Sequence, residues 1–97
     1  VYEITAKFPS EEKYGLANQL RRASVSVPSN IAEGCGRGGR TELRQFMNVS
    51  LGSASEVEYQ LFLAFELGYI GPNIYFRLND KVVELKKMLA AYVKQIQ

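Results

Sequence analysis

Three long stretches of this chain repeat apolar side chains at helical spacing, and few stretches alternate with period two, so the pattern reads as all-α. The first stripe runs through Leu16, Leu20, Ala23, Val27 and Ile31, at steps of four, three, four and four residues. Pro28 lies inside it. An interior proline removes one backbone hydrogen bond and costs about 3 kcal/mol in an isolated helix. The stripe stays in phase to Ile31, which predicts a kink rather than an end, with the hydroxyls of Ser24 and Ser26 expected to satisfy the freed carbonyls. Gly34 is expected to end this helix in the left-handed conformation. Upstream, "VYEITAKF" reads as the tail of a helix stopped by Pro9. Ser10 follows as an N-cap, with Glu11 and Glu12 at the positive end of the next helix.

The second stripe comprises Leu43, Phe46, Ser50, Ser53, Val57, Leu61, Ala64 and Gly68, with Thr41 as the expected cap. Its middle, "SLGSASE", is rich in small residues that let a neighbouring helix come close. "GYIGPN" is a turn. The third stripe carries Ile74, Leu78, Val82, Leu85, Leu89, Tyr92 or Val93, and Ile96, with Lys86, Lys87 and Lys94 towards its C-terminal half. Short connections between long helices make neighbours antiparallel. The expected architecture is a single domain over residues 1–97, an up-down antiparallel four-helix bundle whose first helix is present only as a stub.

One segment has more apolar surface than a bundle helix can hide. "YQLFLAFEL", residues 59–67, has seven apolar or aromatic side chains in nine, distributed nearly all round the helix. Tyr59, Phe62, Leu63, Phe65 and Tyr69 are therefore candidate contacts between copies of the chain, in a homo-oligomer. A segment preceding Val1 that covers the surplus is the competing expectation.

Composition narrows the chemistry. The 97 residues are 46% hydrophobic and 23% charged, as in a globular domain, with a net charge of +2. That charge is too mild to demand a nucleic-acid partner, so any basic function must come from clustering. The chain has no histidine, which removes most zinc sites, the Glu-x-x-His di-iron motif and every histidine-based triad. A lone cysteine, Cys35, cannot form an internal disulfide, and a reducing cytoplasm is the expected location. No apolar run is long enough to span a bilayer.

The stretch "GCGRGG" follows a helix instead of a strand and lacks Gly-Lys-Ser/Thr, so it reads as a helix end and loop rather than a phosphate cradle. Around it Arg37, Arg40 and Arg44 form a candidate cationic rim for RNA or DNA phosphate. Arg21 and Arg22, about four turns earlier on the helix, are weaker candidates. Gln19, Ser26, Asn30 and Glu33 lie on or beside the apolar stripe and are expected to form a structural polar network with Ser50, Ser53, Ser55 and Glu56. Glu33 and Glu56 are the one conceivable acid/base pair, but no nucleophile or ligand set accompanies them. The expectation is a non-enzymatic protein with no cofactor and no metal.

The segment "FPSEEKYGLANQLRRASVSVPSNIAEGCGR", residues 8–37, resembles the signature of the four-helix-bundle proteins encoded in intervening sequences of bacterial 23S ribosomal RNA genes. "FMNVSLGSASEVEYQL", residues 46–61, is similar to that family's second motif, and "LGYI", residues 67–70, to the turn that follows. The resemblance implies an up-down bundle with a longer first helix, assembled as a ring, typically a homopentamer. It implies no settled biochemical role. The related accessory proteins of diversity-generating retroelements are basic pentamers that bind nucleic acid and a reverse transcriptase. This points to RNA, DNA or a nucleic-acid-handling protein as partners, with a protein–protein scaffold lacking nucleic-acid affinity as the alternative.

Overall fold

The computed structural model describes residues 2–9 and 15–96. Among them are one single-turn helix and three long ones: α1 (Tyr2–Thr5), α2 (Leu16–Arg37), α3 (Arg40–Glu66) and α4 (Pro72–Gln95), with no strand. The expected cap at Ser10, with Glu11 and Glu12, lies outside the described residues. A helix of 27 residues is about 40 Å long at 1.5 Å per residue, and α3 accordingly sets the long dimension of a body measuring 43 × 23 × 16 Å.

α3 is the spine. α2 packs antiparallel on one side, with Ser26 level with Ser53 and Gly34 level with Phe46. α4 packs antiparallel on another, with Lys86 beside Glu58 and Tyr75 beside Phe65. α2 and α4 approach each other nowhere within 8 Å between Cα atoms. Both lean on α3, and an apolar groove of about 400 Å³ is left between them, lined by Val27, Pro28, Ile31, Val82 and Leu85 above Ala54 and Val57.

The stripes read from the sequence form the core. Leu16, Leu20, Ala23, Val57, Leu61 and Ala64 are buried together with Phe8 and Ile70 at one end. Met47, Leu89 and Ile96 form a second cluster at the other end, with Ile31, Leu43, Leu85 and Val93 against it. Of the two alternatives near the end of α4, Val93 packs on the core and Tyr92 is exposed. α1 ends at Thr5, earlier than the stop expected at Pro9, and after a turn Phe8 points inward, its ring centroid 5.2 Å from that of Tyr69.

The helix ends differ from the expectation. α2 runs unbroken through Pro28 and past Gly34 to Arg37, and the left-handed cap is Gly38, at φ 81°. Gly34 serves contact instead. A Cβ placed there would lie 2.9 Å from the Phe46 Cβ, so the missing side chain is what lets α2 meet α3. α3 begins at Arg40 behind an extended Gly39, and Thr41 lies inside its first turn rather than capping it. Gly68, read as the last member of the α3 stripe, is exposed and left-handed at φ 80°. There the Gly68 amide donates to the Phe65 carbonyl and the Tyr69 amide to the Ala64 carbonyl, a pair of bonds that closes the helix. Pro72 opens α4, where its missing N–H costs nothing. The serines near Pro28 do not serve the carbonyl it frees, that of Ser24. The Ser24 hydroxyl donates to the Leu20 carbonyl at 2.8 Å, and that of Ser26 points across to α3.

Two of the helical glycines, Gly34 and Gly52, should respond to alanine with opposite signs. At Gly52 nothing lies within 4 Å of an added Cβ, so Gly52→Ala is expected to stabilise by about 0.5–1 kcal/mol. Gly34→Ala gains the same propensity but drives into the Phe46 Cβ, and overpacking of about 1–3 kcal/mol leaves it destabilised. Urea unfolding midpoints, at unchanged slope, measure both.

Candidate functional site

Three surfaces bring together the polar and aromatic residues singled out from the sequence. The first is the seam between α2 and α3. The small residues Ser50 (0% exposed), Ser53 and Ala54 (1%) carry too little bulk to hold the helices apart. At that distance hydroxyls bridge directly. Ser26 Oγ and Ser53 Oγ are 2.8 Å apart, and Ser50 Oγ donates to the Val27 carbonyl at 2.8 Å. Asn30 Nδ2 donates back to the Ser26 carbonyl at 2.8 Å and to Ser26 Oγ at 2.9 Å. Of the expected network, then, Ser26, Asn30 and Ser53 are joined to one another, while Ser50 bonds to the α2 main chain.

The remaining members divide. Gln19 and Glu56 line an open cleft beside the seam, on the same face as Arg22. Ser55 is exposed and lies beside Glu58 and Lys86, towards α4. Glu33 is at the far end of α2, bonded to Arg37. In the register set by Ser26 and Ser53, Glu56 is level with Ala23. Glu33 lies ten residues further along α2, about 15 Å at 1.5 Å per residue, so the two carboxylates do not face each other.

Gln60 was not among the candidates. It is 8% exposed, and its carboxamide oxygen is buried with no hydrogen-bond partner. An orphaned buried acceptor costs about 1–3 kcal/mol. Its position seven residues after Ser53, on the buried side of α3, was the available signal.

The second surface is the end of the bundle around the α2–α3 connection. Arg37 Nη2 donates to Glu33 Oε1 at 2.9 Å, and its Nη1 lies 3.9 Å from Glu42 Oε2. Its guanidinium also lies over the Phe46 ring, 5.4 Å from the centroid. Both carboxylates are half exposed, so these pairs add little stability, but they do offset the charge of the rim. Arg40 is exposed and also engaged in an interaction. Arg44 is exposed on the next turn. Arg21 belongs elsewhere, its Nε donating to the buried Thr5 hydroxyl at 2.7 Å. The five arginines therefore do not form one patch. Arg37, Arg40 and Arg44 share the connection, while Arg21 and Arg22 lie towards the other end of α2.

The third surface is aromatic. Phe65 and Tyr75 stack with centroids 4.6 Å apart and planes 7° from parallel, joining α3 to α4. Phe62 and Phe76 extend the cluster outward, at 6.4 Å from Tyr75 and 6.1 Å from Phe65. Of the expected inter-copy contacts, Tyr59 (63%) and Phe62 (46%) are exposed, whereas Leu63, Phe65 and Tyr69 pack against the core. Phe76 (57%) joins the exposed set from α4. It escaped notice because it sits off the α4 stripe, where position alone marks it as ordinary surface.

Among the described residues no group of His, Cys, Asp and Glu is arranged to hold a metal ion, and no helix is long and apolar enough to cross a membrane. The family described as 23S rRNA-intervening sequence protein matches residues 1–91. The chain belongs to that family. Among solved structures, this family member is similar to a protein of unknown function from the S23 ribosomal protein family of Bacteroides thetaiotaomicron VPI-5482. The two are 27% identical with a TM-score of 0.82, over 88% of this chain and 79% of that one. Comparison with curated proteins gives no match. The family therefore carries the fold, and the surfaces above are the basis for its chemistry in this chain.

The seam is expected to behave as one unit. Ser26→Ala and Ser53→Ala each should cost about 1 kcal/mol, and the double variant less than the sum, because either change already breaks the shared bond. A double-mutant cycle on unfolding free energies checks it.

Proposed function

We propose that this 23S rRNA-intervening sequence protein acts without catalysis, as a helical bundle that docks against copies of itself and presents the assembly to a partner macromolecule. The observation that supports this reading is the set of exposed aromatic rings of Tyr59, Phe62 and Phe76 on two adjacent helices, with Phe62 and Phe76 flanking the half-buried Phe65–Tyr75 stack. Exposed aromatic clusters backed by a rigid stack have the composition of interface centres. A second copy carries the same surface, and ring-on-ring contact suits it. The ring-like homopentamer that the family resemblance implies is one closed way of using such a face.

Nucleic acid is the second reading, and Arg44 with Arg40 favours it. Repeating a weak cationic end around an oligomer would gather phosphate contacts that one copy lacks. Against it stands Arg37, the central arginine of the rim, which is occupied by Glu33 and Glu42. We therefore place protein docking first, as a scaffold with little nucleic-acid affinity of its own. A cytoplasmic location agrees with either.

The test joins mass to binding. The full chain is expected to sediment as a multiple of 10.9 kDa, and Phe62→Glu with Phe76→Glu to sediment as a single copy with unchanged helicity. A single-copy mass for the unaltered chain at high concentration would contradict the proposal. RNA and DNA titrated at low salt should bind weakly or not at all. Tight binding that falls steeply with salt and is lost in an Arg37/Arg40/Arg44 triple alanine variant would put the second reading first.

A further inference from the structure

The aromatic face of α3 and α4 has a second half. Ser55 stands seven residues before Phe62 on α3, and Val83 seven residues after Phe76 on α4. Seven residues are close to two turns of helix, so these positions share a face with the rings. Here the surface is hollow. Ser55 and Val83, with Leu51, Lys87 and Ala90, line a shallow depression of about 390 Å³ beside the Glu58–Lys86 ion pair. One face therefore carries exposed rings towards one end and a largely apolar hollow towards the other. Charge divides in the same way. Glu66 and Asp80, both exposed, follow Phe62 and Phe76 by one turn each. Lys87 borders the hollow, and Lys94 is exposed two turns beyond it. Arg77, next to Phe76 in the chain, is about 100° round the helix from it.

We infer that this face is complementary to itself and pairs with a second copy about a two-fold axis, the rings of each copy seated in the hollow of the other. The inference rests on the docking of copies proposed above and adds which surface receives the rings. The axis crosses α3 between Glu58 and Tyr59, midway between Ser55 and Phe62, and crosses α4 at Val83, which borders the hollow together with Glu58. Rotation about it lays each helix antiparallel to its own counterpart. Phe62 comes over the second copy's Ser55, and Phe76 over the second copy's Ala90, where small side chains leave room. A cavity of about 150 Å³ holds one benzene ring, so the hollow takes two. Tyr59, beside the axis, meets the second copy's Tyr59, which is the ring-on-ring contact. Asp80 comes within one residue of the level of the second copy's Lys87, so the acidic end of each copy faces the basic end of the other. The two-fold makes every one of these contacts twice. A face the length of α3 and two helices wide is about 40 by 20 Å, which is the area of about 800 Å² that each partner gives to a standard interface.

The test is sedimentation of the full chain and its variants over a dilution series, with helicity followed by circular dichroism. The unaltered chain is expected to contain an even number of copies. Ala90→Glu puts an acid into the hollow at an exposed position away from the rings of its own copy, and should weaken pairing at least about tenfold with helicity unchanged. Asp80→Lys and Lys87→Asp, also at exposed positions, should each weaken it by about tenfold or more, because like charges then meet. An equimolar mixture of those two variants restores opposite charges at both contacts and should pair as the unaltered chain does. Two results would overturn the pairing and leave the docking of copies standing. One is an odd number of copies, such as the five of the ring that the family resemblance implies. The other is an assembly that Phe62→Glu with Phe76→Glu takes apart but that Ala90→Glu, Asp80→Lys and Lys87→Asp leave unchanged, which would put the rings on some other surface. A single-copy mass for the unaltered chain at high concentration would remove both readings together.

Discussion

The close approach of α2 to α3 is the constraint on which the other features depend. It is made by absence of bulk: no side chain at Gly34 where it meets Phe46, and hydroxyls or methyls at Ser50, Ser53 and Ala54. Small residues alone would leave a seam with little apolar area to bury. The hydroxyl bonds between Ser26 and Ser53, and from Ser50 to the Val27 carbonyl, supply direction where greasy contact supplies little. They also set register. A slip of one helical turn would separate these pairs and bring a buried hydroxyl against an apolar wall, at the cost of an unmet polar group.

A spine that is narrow on one side must be broad on another. With α2 held tightly on its small-residue face, α3 carries Leu63, Phe65 and Phe62 round to a different quadrant, and α4 packs there through the Phe65–Tyr75 stack and the Lys86–Glu58 bond at 2.7 Å. The two partners of α3 thus stand apart, which accounts for the groove over Val57 and for aromatic rings left at the margin. The apolar excess of residues 59–67 is real, but two neighbours absorb more than half of the positions read as surplus.

The long helices were legible because their stripes are long and in phase, and phase survives even a proline: Leu16 to Ile31 proved continuous through Pro28. Ends were less so. Four glycines crowd the stretch from Gly34 to Gly39, and any of several could have taken the left-handed cap. Gly38 takes it because the tertiary contact at Phe46 claims Gly34 for a different purpose. Thr41 has the chemistry of a cap, but the short connection leaves Gly39 in that place. The polar network was half legible. Serine and asparagine on an apolar stripe announce partners, yet which residues meet depends on register, and register separates Glu33 from Glu56 while uniting Ser26 with Ser53. Gln60 was hidden by its neighbours, since a glutamine beside Leu61 reads as the edge of a stripe until the helix packed on it is known.

Of the three long helices, α4 has the weakest hold. Only Leu89 is buried among the residues of the helix itself, with Ile74, Leu78, Val82 and Leu85 half covered and Phe76, Met88 and Tyr92 largely exposed. Half-covered side chains release less free energy in proportion to the area they keep in water, so α4 should be the first long element to open. Both apolar surfaces left over by the fold, the aromatic face and the groove over Val57, have α4 as one wall. Whatever docks on either surface binds the state in which α4 is seated and not the state in which it has opened, and by mass action stabilises it. Docking of a second copy on the aromatic face, as proposed, would make assembly and the completion of the fold one equilibrium, with the seam of α2 and α3 outside it.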